Sequence, residues 1–316
     1  MRASFLAALL LPVLAYAQAF PAKPIRLVLP YGAGGVADIT ARTIAPKMSE
    51  GLGQPLVIEN KPSAGGIIAA QEVARAAPDG YTLLLINNGT AVSRALFKSL
   101  PYDPDKDFAM ISSLGFFPLV ILTDPKTKLK SVADIIADAK KNPGKMNLAT
   151  IGIGSTQNLG AELFKSTSGI DAQIVPYKST GEVVTALKGG DVGVAFEFLA
   201  PAMSHIKSGN LRAIAVTGAR RFAALPDIPS AVESGLPGYE VASWNGLAAP
   251  AKTPPAVIER IQRELAKVLA APEVEKRFAE LGVEGRASTP AELRAFFQSE
   301  SKRWSRVVEA AKIPKQ

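Results

Sequence analysis

The sequence has no cysteine and a single histidine, His205, among its 316 residues. Disulfides are therefore excluded, as are most zinc and copper sites and every Cys–His nucleophile pair. His205 lies away from any glycine-rich loop, and a surface or helix-end position is the simpler interpretation. No spacing of Asp and Glu picks out a pair of catalytic carboxylates. We therefore expect no metal, no cofactor and no catalytic residue.

Long apolar segments are also missing after the N-terminus, so we expect no membrane span. Residues 1–17 combine one positive charge at Arg2, a short apolar core and Ala15-Tyr16-Ala17, which is typical of a signal peptide cleaved near Ala17. The net charge of +8 is mild for this length, and no cluster of Lys and Arg contains interleaved aromatic residues. The sequence therefore predicts an exported protein that does not bind nucleic acid.

The pattern of strands and helices begins with the stretch from Ile25 to Arg42. A short apolar strand, residues 25–29, leads into a glycine turn and then into a helical spacing of apolar residues. A second strand at residues 56–59 and a third at 81–86 repeat the strand–loop–helix order. Three such units with short connections predict a parallel, doubly wound sheet.

A second series of units follows the apolar residues 119–122. Its clearest members are a strand at 146–150, a glycine turn at 152–155 and a helix at 156–166. Residues 243–250 resemble a strand that returns toward the first half, and the chain ends in helices, including one with its apolar residues on a single face.

This organisation predicts two α/β domains after the signal peptide at residues 1–17. We expect domain I to comprise residues 18–120 plus 242–316, because the tail has too few strands for a sheet of its own. Domain II then comprises residues 121–241. Ligands of open α/β sheets bind outside the carboxyl ends of the strands, so we expect a ligand cleft between the domains.

Two glycine loops form the candidate anion site. Helices that begin after Gly34-Gly35 and after Gly154-Ser155 present N–H groups with no partner inside the helix. Polar side chains close to these loops would complete the shell: Asn88, Thr90, Ser155 and Asn158. About six such hydrogen bonds, with closure excluding water, would reach micromolar binding at about −8 kcal/mol. The residues therefore predict the capture of a small carboxylate.

The first loop also fits a second interpretation. Gly32-x-Gly34-x-x-Ala37 matches the dinucleotide pattern G-x-G-x-x-G/A, and Glu59 stands near the offset of a ribose-binding acid. Against this, Pro30 and Tyr31 separate the strand from the first glycine, and exported proteins rarely meet free NAD. A nicotinamide-dependent oxidoreductase that uses the Gly32-x-Gly34 loop is therefore the alternative hypothesis.

A series of short phrases, in order over nearly all of the mature chain, resembles one family. They include residues 23–31 (KPIRLVLPY), 52–55 (LGQP), 78–83 (PDGYTL), 175–178 (VPYK) and 236–240 (LPGYE). The sequence is similar to the Bug-type (TctC-like) periplasmic solute receptors of tripartite tricarboxylate transporters. This resemblance implies a two-domain periplasmic-binding-protein fold (Venus flytrap, type II) with mainly parallel sheets. It also implies a monomeric, non-enzymatic periplasmic protein that passes a small carboxylate to membrane subunits of the transporter.

Carried over position by position, the resemblance implies a ligand shell that includes both glycine loops. Its members are Tyr31, Gly34, Gly35, Asp38, Thr90, Gly154, Ser155, Asn158, Tyr177 and Glu197. The sequence departs from the family pattern at three places: Glu197-Phe198 replaces Asp-Asn, Asn158 replaces a frequent histidine, and Val36-Ala37 replaces glycine and a hydroxyl residue. These departures leave the acid open among C4-dicarboxylates, citrate, acidic amino acids and aromatic acids. A receptor that only signals is also left open.

Overall fold

The computed structural model describes residues 20–218, 220–222 and 224–316. The predicted signal peptide at residues 1–17 lies outside this part of the chain. The strands are β1 (Ile25–Leu29), β2 (Leu56–Asn60), β3 (Thr82–Asn87), β4 (Phe108–Thr123), β5 (Met146–Ile151), β6 (Ala172–Tyr177), β7 (Val194–Phe198), β8 (Arg212–Val216), β9 (Ala242–Pro250) and β10 (Glu284–Gly285). The helices are α1 (Val36–Leu52), α2 (Ile67–Ala74), α3 (Asn88–Leu96), α4 (Val132–Lys141), α5 (Thr156–Ser168), α6 (Thr180–Gly189), α7 (Leu199–Lys207), α8 (Pro255–Leu269), α9 (Pro272–Glu280) and α10 (Pro290–Ala310). None of these helices is long and apolar enough to span a membrane.

The strands pair into one continuous sheet in the order β2-β1-β3-β9-β4-β7-β5-β6, and β8 and β10 also pair with β4. The pairings of β1 with β2 and β3 are parallel, as are those of β5 with β6 and β7. Strands β4 and β9 run antiparallel to their neighbours. The sheet therefore has a first half around β1 and a second half around β5, joined through β4 and β9.

Strand β4 crosses from one half to the other. Its first part, up to Pro118, pairs with β9, and the part from Leu119 onward pairs with β7 and β8. Only residues 119–122 of this long strand are evident from the sequence pattern. The predicted return of residues 243–250 to the first half is confirmed, because β9 pairs antiparallel with β3. The domain boundaries themselves stay a prediction.

Each half has its own apolar core. In the first half, α1 and α8 pack on the sheet, and α8 buries the apolar face that its spacing predicts, including Ile258, Ile261 and Leu265. In the second half, Phe164 of α5 packs against the sheet. Helix α10 contributes to both halves, because Phe297 packs in a first-half cluster with Trp244. Further along the same helix, Trp304 packs with the second-half core.

Candidate functional site

A cavity of about 380 Å³ lies where the two halves face each other. The first half contributes residues 31–37 and Asn87 to its wall. The second half contributes residues 155–157, residues 178–180 and Glu197. The crossing strands close its floor with the side chains of Phe117 from β4 and of Ser243 and Asn245 from β9. The cavity therefore lies in the cleft region that the sequence pattern predicts.

The predicted site residues fall into two groups by their position. Those that line the cavity are Tyr31, Gly34, Gly35, Ser155 and Glu197. Those that do not line it are Asp38, Asn88, Thr90, Gly154, Asn158 and Tyr177. Most members of the second group form hydrogen bonds that fix the cavity wall. Tyr177 is half-buried at the end of β6, where its carbonyl accepts the N–H of Gly152 at 3.1 Å.

Asp38 holds the first glycine loop in place from behind. Its carboxylate accepts the N–H of Gly34 at 3.0 Å, the Arg42 guanidinium at 3.0 Å and the amide of Asn60 at 2.9 Å. Burial disfavours its charge, but these hydrogen bonds outweigh burial and lower the pKa of Asp38 below its ordinary value. Gly34 has a φ of 84°, a left-handed conformation that glycine adopts without strain.

Helix α1 begins at Gly35 as its N-cap. No side chain in the described part of the protein accepts the first N–H groups of this helix. The backbone of Val36 and Ala37, which lines the cavity, therefore offers unpartnered donors to a bound group.

The second glycine loop is held by a reciprocal pair of side chains. The Ser155 hydroxyl accepts the N–H of Asn158 at 3.1 Å and donates to the carbonyl of Ile151 at 2.8 Å. Asn158 in turn accepts the N–H of Gly154 at 3.1 Å. These bonds cap α5 and use the hydroxyl hydrogen of Ser155 internally. The donors that this loop presents to the cavity are therefore its backbone N–H groups and the side chains of Thr156 and Gln157.

Asn87, rather than Asn88, lies at the cavity. Its carbonyl oxygen accepts the N–H of Thr90 at 3.2 Å and so caps α3, whereas its amide nitrogen is buried without a partner among the described residues. Asn88 points into the protein, where it donates to Thr156 at 3.1 Å, and Thr156 donates to Ser243 at 3.1 Å. Sequence reasoning missed Asn87. Its signal was its position as the last polar residue of an otherwise apolar strand.

Tyr31 and Glu197 are ionisable residues that lie on opposite walls of the cavity. Tyr31 is 41% exposed, and burial of its hydroxyl raises the pKa to about 12, against the opposing effect of the neighbouring Asn87 side chain, so it stays neutral. Glu197 is only 1% exposed and accepts hydrogen bonds from Gln157 at 3.0 Å, from the N–H of Phe198 at 2.7 Å and from Thr180 at 2.8 Å. Burial raises the pKa of Glu197, against the opposing effect of these hydrogen bonds.

Helix N-termini surround the cavity. Strands β1, β3, β5, β6 and β7 end at its rim, and each leads directly into a helix: α1, α3, α5, α6 and α7. Side chains of Asn87, Ser155 and Ser179 cap three of these helices, whereas no side chain of residues 20–218, 220–222 or 224–316 caps α1 or α7. The positive ends of the helix dipoles and the free N–H groups both favour an anion, so the arrangement suits a small carboxylate.

In the alternative dinucleotide interpretation Glu59 would bind a ribose, but its carboxylate is already paired within the protein. Both carboxylate oxygens of Glu59 accept hydrogen bonds from Arg26, at 2.8 Å and 2.7 Å, and Glu59 does not line the cavity. His205 is half-buried in the last turn of α7, at the opposite end of that helix from the cavity. In the part of the chain that the structure describes, no cluster of three or more Asp, Glu or His side chains forms a metal site.

Comparison with known proteins identifies the family. The profile of the family described as "Tripartite tricarboxylate transporter family receptor" (TctC) matches residues 40–313. Protein BugT of Bordetella pertussis is 37% identical over 294 residues, which cover 92% of this chain and 90% of that protein. The chain belongs to the TctC family. The predicted resemblance to Bug-type receptors is therefore confirmed.

Two solved structures of Rhodopseudomonas palustris proteins show the fold with a ligand. The protein solved with adipate is 32% identical, with a TM-score of 0.87 over 94% of this chain and 100% of that chain. MatC, solved with bound malate, is 33% identical, with a TM-score of 0.81 over 92% of this chain and 100% of that chain. Periplasmic binding proteins of the TctC type share the architecture, and the predicted fold class is confirmed.

Proposed function

We propose that this protein is an exported receptor that captures a small carboxylate and passes it, chemically unchanged, to membrane subunits of a tripartite tricarboxylate transporter. The observation that carries the proposal is the ring of helix N-termini around one cavity between the halves. One of these helices, α1, has no side-chain cap among the described residues, and its first residues Val36 and Ala37 line the cavity, so their N–H groups are available to a ligand. Relatives solved with adipate and malate support the same ligand class.

The site residues follow from their position around the cavity. We assign the contact role to Tyr31, Gly34, Gly35, Ser155 and Glu197, and we add Asn87 to them. The role of holding the walls goes to Asp38, Asn88, Thr90, Gly154, Asn158 and Tyr177. Export of a monomeric mature chain after cleavage near Ala17 belongs to the same proposal.

Thermal unfolding of the mature protein with and without small carboxylates tests the ligand class. We expect at least one of succinate, malate, adipate, glutamate and 4-aminobutanoate to raise the unfolding temperature of the wild type, because a ligand that binds only the folded state stabilises it. The double variant Gly34→Val, Ser155→Ala should abolish this shift, since it strains the first loop and removes the cap of the second. Mass spectrometry of ligand released from the denatured protein would name the acid.

The chain offers a matched control for this double variant. Gly53 has a φ of 76° with open space around it, and Ser131 caps α4 through the N–H of Asp134, yet neither residue lines the cavity. The variant Gly53→Val, Ser131→Ala therefore carries the same two kinds of damage and should keep the shift. An unchanged shift in the cavity variant would overturn the site assignment. Failure of every one of these carboxylates to stabilise the wild type would contradict the assigned ligand class.

Titration with NAD and NADH tests the alternative enzyme. We expect no quenching of tryptophan fluorescence and no turnover, because the Glu59 carboxylate is already held by Arg26. Saturable quenching that Gly34→Val removes would favour the oxidoreductase instead.

A further inference from the structure

Glu197 places a carboxylate in a cavity that otherwise attracts anions. Its side chain is 1% exposed and lines the cavity on the second-half wall. All three of its protein partners are neutral: the amide of Gln157, the hydroxyl of Thr180 and the N–H of Phe198. No salt bridge to Glu197 forms among the residues that the structure describes. A buried charge without a counter-charge is costly, so this carboxylate needs an explanation.

Among the described residues that line the cavity, no cation pairs with Glu197, so a ligand would have to supply the counter-charge. Helix α5 presents Gln157, helix α6 presents Thr180, and strand β4 presents Phe117 to the same cavity. Lys178 and Tyr31 are the other ionisable groups in its lining, but Lys178 is exposed, and the buried Tyr31 hydroxyl is neutral.

The two walls of the cavity differ in what they offer. The first-half wall presents donors: the uncapped N–H groups of Val36 and Ala37 and the unpartnered amide nitrogen of Asn87. The second-half wall presents Glu197, whose carboxylate has about four acceptor positions, of which three hold protein donors. The remaining position, on Oε2, can accept one further donor.

We propose that the ligand carries a protonated nitrogen as well as a carboxylate, and that Glu197 binds this nitrogen while the first-half wall binds the carboxylate. The inference rests on the proposed carboxylate receptor and narrows its ligand class to amino carboxylates. The ammonium supplies the counter-charge that the protein lacks at Glu197, and a charge-assisted hydrogen bond fills the open position on Oε2. A second carboxylate at the same place would be repelled.

Calorimetric titration of probe ligands matched in length tests the proposal. 4-Aminobutanoate and glutarate differ in their distal group, ammonium or carboxylate, and pentanoate has neither. We expect wild type to prefer 4-aminobutanoate, and Glu197→Gln to lower that affinity by at least about tenfold while raising the affinity for glutarate. Glu275→Gln makes the same substitution in the exposed first turn of α9, outside the cavity lining, and it should leave both affinities unchanged.

Proton linkage gives a readout that a merely structural role of Glu197 would not change. Because burial raises the pKa of Glu197, this group takes up a proton at a higher pH than a free glutamate does. An ammonium favours the ionised form, so 4-aminobutanoate should release a proton and bind more tightly as the pH rises through the titration of Glu197. Glutarate should show the opposite sign, and Glu197→Gln should remove both dependences.

The outcomes separate this inference from the proposed function. If glutarate or pentanoate binds wild type as tightly as 4-aminobutanoate, and Glu197→Gln changes neither, the inference is overturned while the carboxylate receptor stands. If none of the three acids binds wild type, and none of the carboxylates in the thermal-unfolding test stabilises it although the protein is folded, the carboxylate receptor itself fails. A preference for 4-aminobutanoate that inverts in Glu197→Gln supports both.

Discussion

At the scale of single residues, the sequence predicts the kinds of side chain at the site better than their positions. The amide donor expected at Asn88 is supplied by Asn87, one residue earlier. A strand turns its successive side chains to opposite faces, so an uncertainty of one residue in the end of β3 exchanges a cavity residue for a buried one. The end was uncertain because α3 begins directly at Asn88 and its second residue is Gly89, which is typical of a loop.

Asn87→Asp isolates the unpartnered amide donor of this residue. The aspartate keeps an oxygen that can accept the N–H of Thr90 and cap α3, although the buried charge should lower the unfolding temperature of the free protein. The amide nitrogen becomes an acidic oxygen that repels a bound carboxylate. We expect carboxylate affinity to fall by at least about tenfold, the worth of one hydrogen bond to a charged group. Calorimetric titration measures the affinity.

Asn210→Asp provides the control for added charge, since Asn210 is exposed and lies outside the cavity lining. It should bind as wild type does. Equal affinity of Asn87→Asp and wild type would place the carboxylate elsewhere in the cavity.

At the scale of helices and strands, apolar periodicity predicts the order of the βα units. The same periodicity does not predict the first part of β4 or helix α7. Two register shifts against β9, at Met110/Ser112 and Ser113/Gly115, break the alternation of β4, so no period of two marks its first part. In α7, Pro201 falls in the first turn, where a helix tolerates proline but the sequence reads as a break. These elements are defined by their partners in the fold.

Gly35 tests whether the open start of α1 serves binding rather than stability. Its φ of −77° suits any residue, and an added Cβ would meet nothing closer than the carbonyl of Gly32 at 3.9 Å. Gly35→Asp should cap α1 and stabilise the free protein by about 0.5 kcal/mol. It should also lower carboxylate affinity at least about tenfold, because the new carboxylate takes the N–H groups that the ligand needs.

Gly35→Ala is the matched variant at the same position, since it adds a Cβ but no acceptor. We expect it to reduce stability by about 0.5 kcal/mol and to keep affinity within about threefold of wild type. Thermal unfolding and calorimetric titration of the two variants measure both quantities. If Asp and Ala weaken binding equally, the loss comes from bulk in the loop, and the role assigned to the α1 donors is wrong.

At the scale of the whole molecule, the two halves share elements that neither can give up. Strand β4 buries Leu114 and Phe117 in the first-half core and Leu119 and Ile121 in the second-half core. Helix α10 likewise packs against both halves. The division into two halves is readable from the sequence because each half repeats the βα pattern. The sharing of β4 and α10 between the halves is not readable from the sequence, because contacts between residues far apart in the chain do not produce a local periodic pattern of apolar residues.

The core of each half contains one tryptophan side chain, and this allows the sharing of β4 and α10 between the halves to be tested. Trp244 is buried in a first-half cluster and Trp304 in the second-half core. Removing either half would expose the apolar residues that β4 and α10 bury in it, so we expect the molecule to unfold as one cooperative unit. In Trp244→Phe, the fluorescence of Trp304 should report the same denaturant midpoint as far-UV circular dichroism. In Trp304→Phe, the fluorescence of Trp244 should do the same.

The two variants should differ in stability, but in each of them the fluorescence and dichroism midpoints should be the same. The Trp244 indole nitrogen has no partner among the described residues, whereas Trp304 donates to the buried Glu300 at 2.8 Å. Trp304→Phe should therefore cost about 1–3 kcal/mol more than Trp244→Phe, because it leaves a buried carboxylate short of a donor. Separate midpoints for fluorescence and dichroism in either variant would show that the halves unfold independently. In that case β4 and α10 would connect two domains that fold independently of each other.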